Sequence, residues 1–356
     1  MKCPRGGGKL IKNFVNNAKC KKNVESIFYL EIKLFSLTPK SRFQKKIKYN
    51  QYMKKIITTI LAFTISFSIT AQQDPQFSQN FLNKLYVNPA YAGASNAICA
   101  GLLYRTQWTG FDGAPKTGVF NIDAPIRAIN SGVGLSVMTD KIGFENTFQV
   151  QLAYAYRFNV GAAGKLAIGV DIGLLQKKIN GDFVFNDPND PIIPTSSESG
   201  MAIPDLGAGL YFNNENLYIG LSAQHLLSPK IDLSTVNYTY VPNYYGMIGY
   251  KFDLTPALAL TPSIFAKYDG TTIQSDFNAT LHINDKFWVG GSYRLQDAVV
   301  LMAGIKLFQN LKIGYSYDFN TSALNDYNNG SHEVFLGYCF NPPKKMNYRI
   351  KNVRYL

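Results

Sequence analysis

Few side chains of this sequence have the types and spacing that a catalytic or metal-binding site requires. The chain of 356 residues contains three histidines, His225, His282 and His332, and none has a second ligand at the spacing of a zinc motif such as HExxH. No phosphate-binding, dinucleotide-binding or serine-hydrolase motif occurs in a strand-to-helix setting. We therefore expect no enzymatic activity, no cofactor and no metal, and we interpret the histidines as polar lumen residues or strand-end residues.

One loop could bind a cation. Residues 185–194 read FNDPNDPIIP, and clustered Asn and Asp oxygens can hold Ca²⁺. No glycine turn or bidentate Glu completes the pattern, so we favour an ordinary polar loop over a metal site. The loop with its flanks exceeds the usual connection length, which indicates either function or disorder.

The segment at 53–71 reads MKKIITTILAFTISFSITA and predicts a secretory signal peptide. Its basic start is followed by a short apolar run, and the small residue Ala71 precedes Gln72, where we expect cleavage. A membrane anchor is the alternative, but the apolar run is short for a spanning helix. Signals of this kind begin a chain, so we interpret residues 1–52 as a mis-called upstream extension.

The net charge of +13 suggests a nucleic-acid partner, but the excess of basic residues lies within residues 1–71. Residues 1–71 hold 15 of the 36 Lys and Arg and only 2 of the 23 Asp and Glu, which leaves 21 of each sign from Gln72 onward. A neutral mature chain has no general attraction for polyanions. We therefore expect no nucleic-acid partner.

The elements that follow are predicted strands with a period of two. In SHEVFLGYCF, at 331–340, Val334, Leu336, Tyr338 and Phe340 share one face, and Glu333 lies on the other. Similar alternation occurs in about fourteen segments between 97 and 340. Apolar rows that face lipid and polar rows that face a lumen are typical of an outer-membrane β-barrel. The sequence thus predicts an all-β fold, an antiparallel transmembrane barrel at 97–340.

Loop lengths give an independent argument. When the connections are numbered in order, every long one is odd, as in barrels with long outer loops and short periplasmic turns. An even strand count then returns the C-terminus to the periplasm. A soluble β-sandwich is the alternative, but it would place fewer aromatic residues at strand ends.

Two segments flank the predicted barrel. Residues 72–96 are polar, aromatic and free of alternation, which indicates a pre-barrel segment in the periplasm or a plug-like segment in the barrel mouth. Residues 341–356 form a basic tail, interpreted either as a periplasmic docking peptide for an acidic partner or cell-wall polymer, or as a solvated tail. The candidate docking residues are Lys344, Lys345, Tyr348, Arg349, Lys351 and Arg354.

Two pairings near the strand ends remain open. Cys99 and Cys339 lie in the first and last strands, which become neighbours when a barrel closes, and an exported chain could oxidise them. The alternative is that they never meet in register, because a disulfide needs Cα atoms within about 7 Å. At the first hairpin, Arg105 could stack on Trp108. We favour an interfacial aromatic anchor beside a loop charge.

The residues after the predicted cleavage site resemble a known family. DPQFSQNFLNKLYVNPAYAG, at 74–93, is similar to the opening of the PorP/SprF-like outer-membrane proteins of the type IX secretion system of Bacteroidetes. The matching residues are Asp74, Pro75, Phe77, Ser78, Gln79, Asn83, Tyr86, Asn88, Pro89, Ala90, Tyr91, Ala92 and Gly93. The first strand resembles the family's YRxQW element through Tyr104, Arg105, Gln107 and Trp108. The resemblance extends from Gln72 to the end of the chain, although YCF stands where a basic or polar residue is expected before the final Phe.

The resemblance implies a fourteen-stranded outer-membrane barrel without enzymatic activity, which serves protein secretion and, in some organisms, gliding adhesins. The implied partners are the outer-membrane bilayer, a periplasmic secretion ring or peptidoglycan-binding protein, and secreted cargo with a C-terminal sorting domain. The polar inner rows leave a porin or solute channel as the alternative. An outer-membrane enzyme is disfavoured because no Ser–His–acid set stands out.

Overall fold

The computed structural model describes residues 74–180, 197–233, 237–308, 310–322 and 326–340. Several predictions lie outside these residues. They are the extension at 1–52, the signal peptide at 53–71 with its cleavage site at Ala71 and Gln72, the Asn- and Asp-rich loop at 185–194, and the basic tail at 341–356.

Fourteen antiparallel strands form the barrel. Their inner and outer rows alternate, and β-branched and aromatic residues, which favour extended backbone, are frequent in them. In chain order they are β1 (Ile98–Thr106), β2 (Lys116–Ile126), β3 (Ser131–Ile142), β4 (Glu145–Asn159), β5 (Lys165–Ile179), β6 (Ile203–Asn213), β7 (Leu217–Gln224), β8 (Asn243–Tyr250), β9 (Leu258–Tyr268), β10 (Ile273–Ile283), β11 (Phe287–Arg294), β12 (Ala298–Leu307), β13 (Leu311–Asn320) and β14 (Ser331–Phe340).

Each strand pairs with its neighbours in sequence, and β14 pairs with β1 to close the ring. Two short segments prolong barrel strands: Phe252–Thr255 continues β8, and Glu198–Ser199 pairs with the end of β5 ahead of β6. The closed fourteen-stranded antiparallel barrel confirms the predicted fold class.

The side chains of each strand alternate between lipid and lumen, as predicted. On β14, Val334, Leu336, Tyr338 and Phe340 are exposed on the outer surface, whereas Glu333 is fully buried inside. Exposed Tyr and Phe residues recur near the strand ends of the outer surface, where interfacial aromatic girdles are expected. No helix within the described ranges is long and apolar enough to span a membrane.

The long connections, at 107–115, 180–202, 225–242 and 321–330, all follow odd-numbered strands and therefore share one end of the barrel. By the loop-length rule this is the outer end. A two-stranded hairpin, Lys230–Asp232 with Asn237–Thr239, lies there, and its Ile231 packs with residues of β5. The opposite end, with short turns, is the inner end.

Residues 74–96, the lumen segment, run through the barrel interior. Asp74 contacts Lys267 near the outer end of β9, and Gly93 contacts Asp123 near the inner end of β2. Between them lie a short helix, α1 (Lys84–Val87), and a 3₁₀ turn (Pro89–Tyr91). The segment therefore extends along most of the lumen.

Cys99 on β1 and Cys339 on β14 lie directly opposite each other, with Cα atoms 4.1 Å apart, and their sulfurs are bonded. The bond joins the first and last strands near the inner end. It therefore spans a seam whose strands are distant in sequence, since 240 residues separate the two cysteines.

We expect the purified barrel to contain this bond and Cys99→Ser to lose stability. Disulfides typically contribute about 2–4 kcal/mol to the free energy of unfolding. Peptide mapping without reductant should recover the linked Cys99 and Cys339 peptides. The variant should unfold at a lower temperature than the wild type. Recovery of two free thiols from protein kept oxidised would contradict the pairing.

Candidate functional site in the barrel lumen

Charged residues on the inner rows of five strands form a buried cluster, which we call the central ion-pair cluster. Strand alternation turns these side chains inward, and ring closure brings β1 beside β14. None is more than 2% exposed. The members are Arg105 (β1), Asp276 (β10), Arg294 (β11), Asp318 (β13) and Glu333 (β14).

The two arginines bridge the three carboxylates. Arg105 donates from Nη2 to Asp318 Oδ2 at 2.7 Å and from Nη1 to Glu333 Oε2 at 3.3 Å. Arg294 donates from Nη1 to the same Asp318 oxygen at 3.1 Å and from Nε to Asp276 Oδ1 at 3.2 Å. Asp318 is thus the shared acceptor at the centre of the cluster.

Two residues of the lumen segment complete this cluster. The backbone N–H groups of Ser78 and Gln79 donate to the two carboxylate oxygens of Glu333 at 2.8 and 2.7 Å. The Ser78 hydroxyl donates to Asp318 at 2.7 Å and accepts from Arg105 at 2.9 Å and Arg294 at 3.1 Å. Buried charges require such partners, because an unpaired one is costly. The barrel wall and the lumen segment therefore stabilise each other.

A second set of bonds holds the outer end of the segment. Asp74 accepts from His225 Nε2 at 3.0 Å, from Asn243 Nδ2 at 2.8 Å and from the Tyr245 hydroxyl at 2.6 Å. The other ring nitrogen of His225 lies 2.6 Å from Asp205 Oδ2. His225 is 1% exposed and follows β7, so the outer connections and the lumen segment share this site.

Electrostatics favour the ion pair in this outer site. Burial disfavours the imidazolium, but the carboxylates of Asp74 and Asp205 outweigh it and raise the pKa of His225 to about 10. Burial likewise opposes the charged form of Asp74, yet His225 and Lys267 hold the pKa of Asp74 below its usual range. We therefore infer a protonated His225 and an ionised Asp74 at neutral pH.

The NPAYAG stretch fits closely against the inner half of the wall. Asn88 caps the 3₁₀ turn by accepting from the Ala90 N–H at 3.0 Å, and its Nδ2 donates to the Leu210 carbonyl of β6 at 3.0 Å. A Cβ at Gly169 of β5 would lie only 2.3 Å from the Ala90 nitrogen. Arg157 of β4 donates to the Ala92 and Gly93 carbonyls.

The remaining residues of the predicted motif have distinct positions. Phe77 packs edge-on against Tyr86 with ring centroids 5.5 Å apart, and Tyr91 does so against Tyr211 at 5.3 Å. Pro75 lines an outer cavity of about 270 Å³. Tyr104 is half exposed on the lipid-facing surface.

Arg105 is not the loop charge that the first-hairpin interpretation expected. It points into the central ion-pair cluster and is 2% exposed, because it shares the inner row of β1 with Leu103. Trp108 lies beyond the strand with a φ of +49°, and its backbone N–H donates to the Ser331 hydroxyl at 3.1 Å. Gln107 continues the hairpin through a backbone bond to Pro115.

The sequence reasoning missed that four residues on different strands, and one residue that follows a strand, meet the lumen segment. These are Asp276, Arg294, Asp318, Glu333 and His225. Their inward rows were predictable, since charges on apolar-alternating strands must avoid lipid. Within the part of the chain that the structure describes, no cluster of His, Cys, Asp and Glu suits a metal ion.

The family follows from a comparison of the whole chain. A model of the family described as "Type IX secretion system membrane protein PorP/SprF" matches residues 69–338. The chain belongs to this family. The resemblance drawn from its motifs is thereby confirmed, and the PorP/SprF chain is an outer-membrane barrel protein of a secretion system. A search of curated proteins found no match.

Solved structures similar to the PorP/SprF barrel include other outer-membrane proteins. The Ralstonia pickettii toluene transporter TbuX is 10% identical, with a TM-score of 0.45, and the match covers 71% of this chain and 92% of that one. The Acinetobacter baumannii protein Omp33 is 10% identical, with a TM-score of 0.39, covering 68% and 99%. The KdgM porin is 11% identical, with a TM-score of 0.33 and the same coverage.

We expect Arg105→Met to destabilise the barrel by about 3–5 kcal/mol, because it leaves Glu333 and Asp318 buried with fewer partners. Urea unfolding followed by tryptophan fluorescence measures the change. Arg127→Met is the matched control, since Arg127 is exposed and donates only to the Asn96 carbonyl. Losing that hydrogen bond should lower the free energy of unfolding by about 0.5–1.5 kcal/mol. Equal losses in the two variants would refute a special role for the cluster.

The outer site predicts a pH dependence. A His pKa raised in the folded state contributes stability that is complete below the unfolded value of about 6.5 and is lost as pH rises through about 10. Thermal unfolding midpoints should therefore fall over this range. Asp74→Asn should be less stable at pH 7 and show a shallower fall, because Asp74 raises the pKa of His225. If the unfolding midpoints of the wild type and of Asp74→Asn fell in parallel with pH, the ion pair between His225 and Asp74 would not be the cause of the pH dependence.

Proposed function

We propose that this chain is a non-enzymatic barrel that supports secretion or surface attachment of a cargo protein, such as a gliding adhesin, and docks to periplasmic machinery. Membership in the PorP/SprF family supports the secretion role. The proposed partners are secreted proteins with a C-terminal sorting domain at the outer end, and secretion-ring or peptidoglycan-binding proteins at the inner end. The basic tail, Lys344 to Arg354, is the proposed docking peptide.

The observation that carries this proposal is the filled lumen. A porin conducts through a continuous aqueous path, whereas here residues 74–96 run along the barrel interior and bond to its wall in the outer, central and inner parts. A barrel whose interior is occupied by its own chain is better suited to holding partners at its two ends. The lumen segment therefore favours a scaffold over the solute channel.

Planar-bilayer conductance separates these two functions. We expect the purified wild-type barrel to show no large, steady conductance. Gly169→Ala should introduce leak currents, because its Cβ would meet the Ala90 backbone and displace the lumen segment. Gly246→Ala is the matched control, since its Cβ would meet only Leu221, at 3.8 Å. A steady open state in the wild type would instead support the porin.

The secretion role is tested in cells that lack the chain. We expect these cells to lose surface cargo with a C-terminal sorting domain, and the full chain to restore it. A chain without residues 344–356 should insert in the outer membrane but fail to restore cargo, because docking is removed. Normal surface cargo in the absence of the chain would exclude the proposed function, and full restoration by the shortened chain would exclude docking through the tail.

A further inference from the structure

Three lysines form a row across neighbouring strands at the inner end of the barrel. Lys306 of β12 lies directly opposite Lys312 of β13. On its other side, the Lys306 N–H donates to the carbonyl of Lys286, which immediately precedes β11, at 2.6 Å. We call these residues the lysine row.

The lysine row faces the lumen mouth and not the lipid. Lys312 shares its row with Gly314 and with the fully buried Ser316. Lys306 shares its row with Met302, which is also buried inside. Because the outward rows of these strands carry the lipid-facing residues, Lys306 and Lys312 lie on the lumen side of the wall, and Lys286 is exposed in the inner turn before β11.

None of these three lysines forms an ion pair with a residue that the structure describes. Among the residues that the structure describes, no carboxylate lies within 4.0 Å of the three ammonium groups. Lys251 nearby is already paired with Asp253 at 2.9 Å. Like charges directly opposite each other on paired strands are destabilising. The row therefore lowers stability unless an anion binds to it.

One lysine of the lumen segment also lies at this end. Lys84 of α1 interacts electrostatically with Lys312, and its Nζ lies 3.3 Å from the ring centroid of Tyr218. Beside Lys312, a cavity of about 120 Å³ is lined by apolar residues that include Phe81 and Phe335 and, on its far side, by the polar residues Asn121 and Asp123. The opening thus combines the three lysines with a recess that is apolar in part and contains one carboxylate.

We propose that the lysine row is a binding site for an acidic, carboxylate-rich peptide segment of a periplasmic partner. Its inward direction favours a peptide over anionic lipid, because headgroup phosphates lie outside the ring of strands. The part of the recess lined by Phe81 and Phe335 fits apolar side chains that flank the acidic residues. This inference rests on the proposed docking function and adds a site within the folded barrel to the basic tail.

The chain contains a matched control for the row. Lys116 of β2 and Lys141 of β3 are also directly opposite each other, but they are exposed on the outward face at the outer end. Lys116→Gln with Lys141→Gln removes the same charge as Lys306→Gln with Lys312→Gln. Only the second pair of substitutions changes the inner opening.

Binding is measured on the full-length barrel in detergent, by fluorescence anisotropy with a short poly-glutamate peptide. We expect the Lys306→Gln, Lys312→Gln variant to bind about fivefold more weakly, because each exposed ion pair contributes a few-fold at most. The Lys116→Gln, Lys141→Gln variant should bind like the wild type. Added salt should reduce the difference between the variants.

Three results of the peptide titration would overturn the inference. They are no binding to the wild type, equal binding by all three proteins, and equal losses in both variants. A parallel titration with nanodiscs that contain phosphatidylglycerol tests binding to anionic lipid. If the Lys306→Gln, Lys312→Gln variant binds the nanodiscs more weakly but binds the peptide like the wild type, the site is one for lipid, and this fourth result also overturns the inference. This measurement needs only the purified chain, so its failure is distinguishable from a failure of secretion in cells.

Discussion

The structure depends on one constraint, which is that charges buried inside the barrel must find partners there. Arg105, Arg294, Asp318 and Glu333 cannot face lipid, and leaving any of them unpaired would be costly. Ser78 and Gln79 meet this need with two backbone N–H groups and one hydroxyl. The lumen segment is therefore part of the folded barrel, in the same way that a core helix is part of a soluble domain.

Much of this architecture was predictable from the sequence. The period of two fixed which rows face lipid, and the order of long and short loops fixed the strand count and the orientation. Glu333 was assigned to an inner row for this reason. The family motif drew attention to Ser78, Gln79 and Asn88 before any contact was known.

The contacts themselves were not predictable, for a physical reason. Alternation shows which face a residue occupies but not its register, and a shift by one residue reverses every assignment across a strand pair. Arg105 was therefore expected to be a loop charge, and the meeting of Cys99 with Cys339 stayed open. His225 was expected to be a polar lumen or strand-end residue, but its partners were not predicted, because Asp74 and Asp205 lie 151 and 20 residues away in the chain.

The pairing of β1 with β14 has a consequence for assembly. Arg105 and Glu333 face each other across this seam, and the same two side chains also contact Ser78. A closed ring of hydrogen-bonded strands offers no lateral entry, so the geometry favours an order in which residues 74–96 are in place before the last strand docks. The lumen segment is then the template on which the seam closes, and a barrel that closed around an empty interior would leave the Glu333 carboxylate without the N–H donors of Ser78 and Gln79.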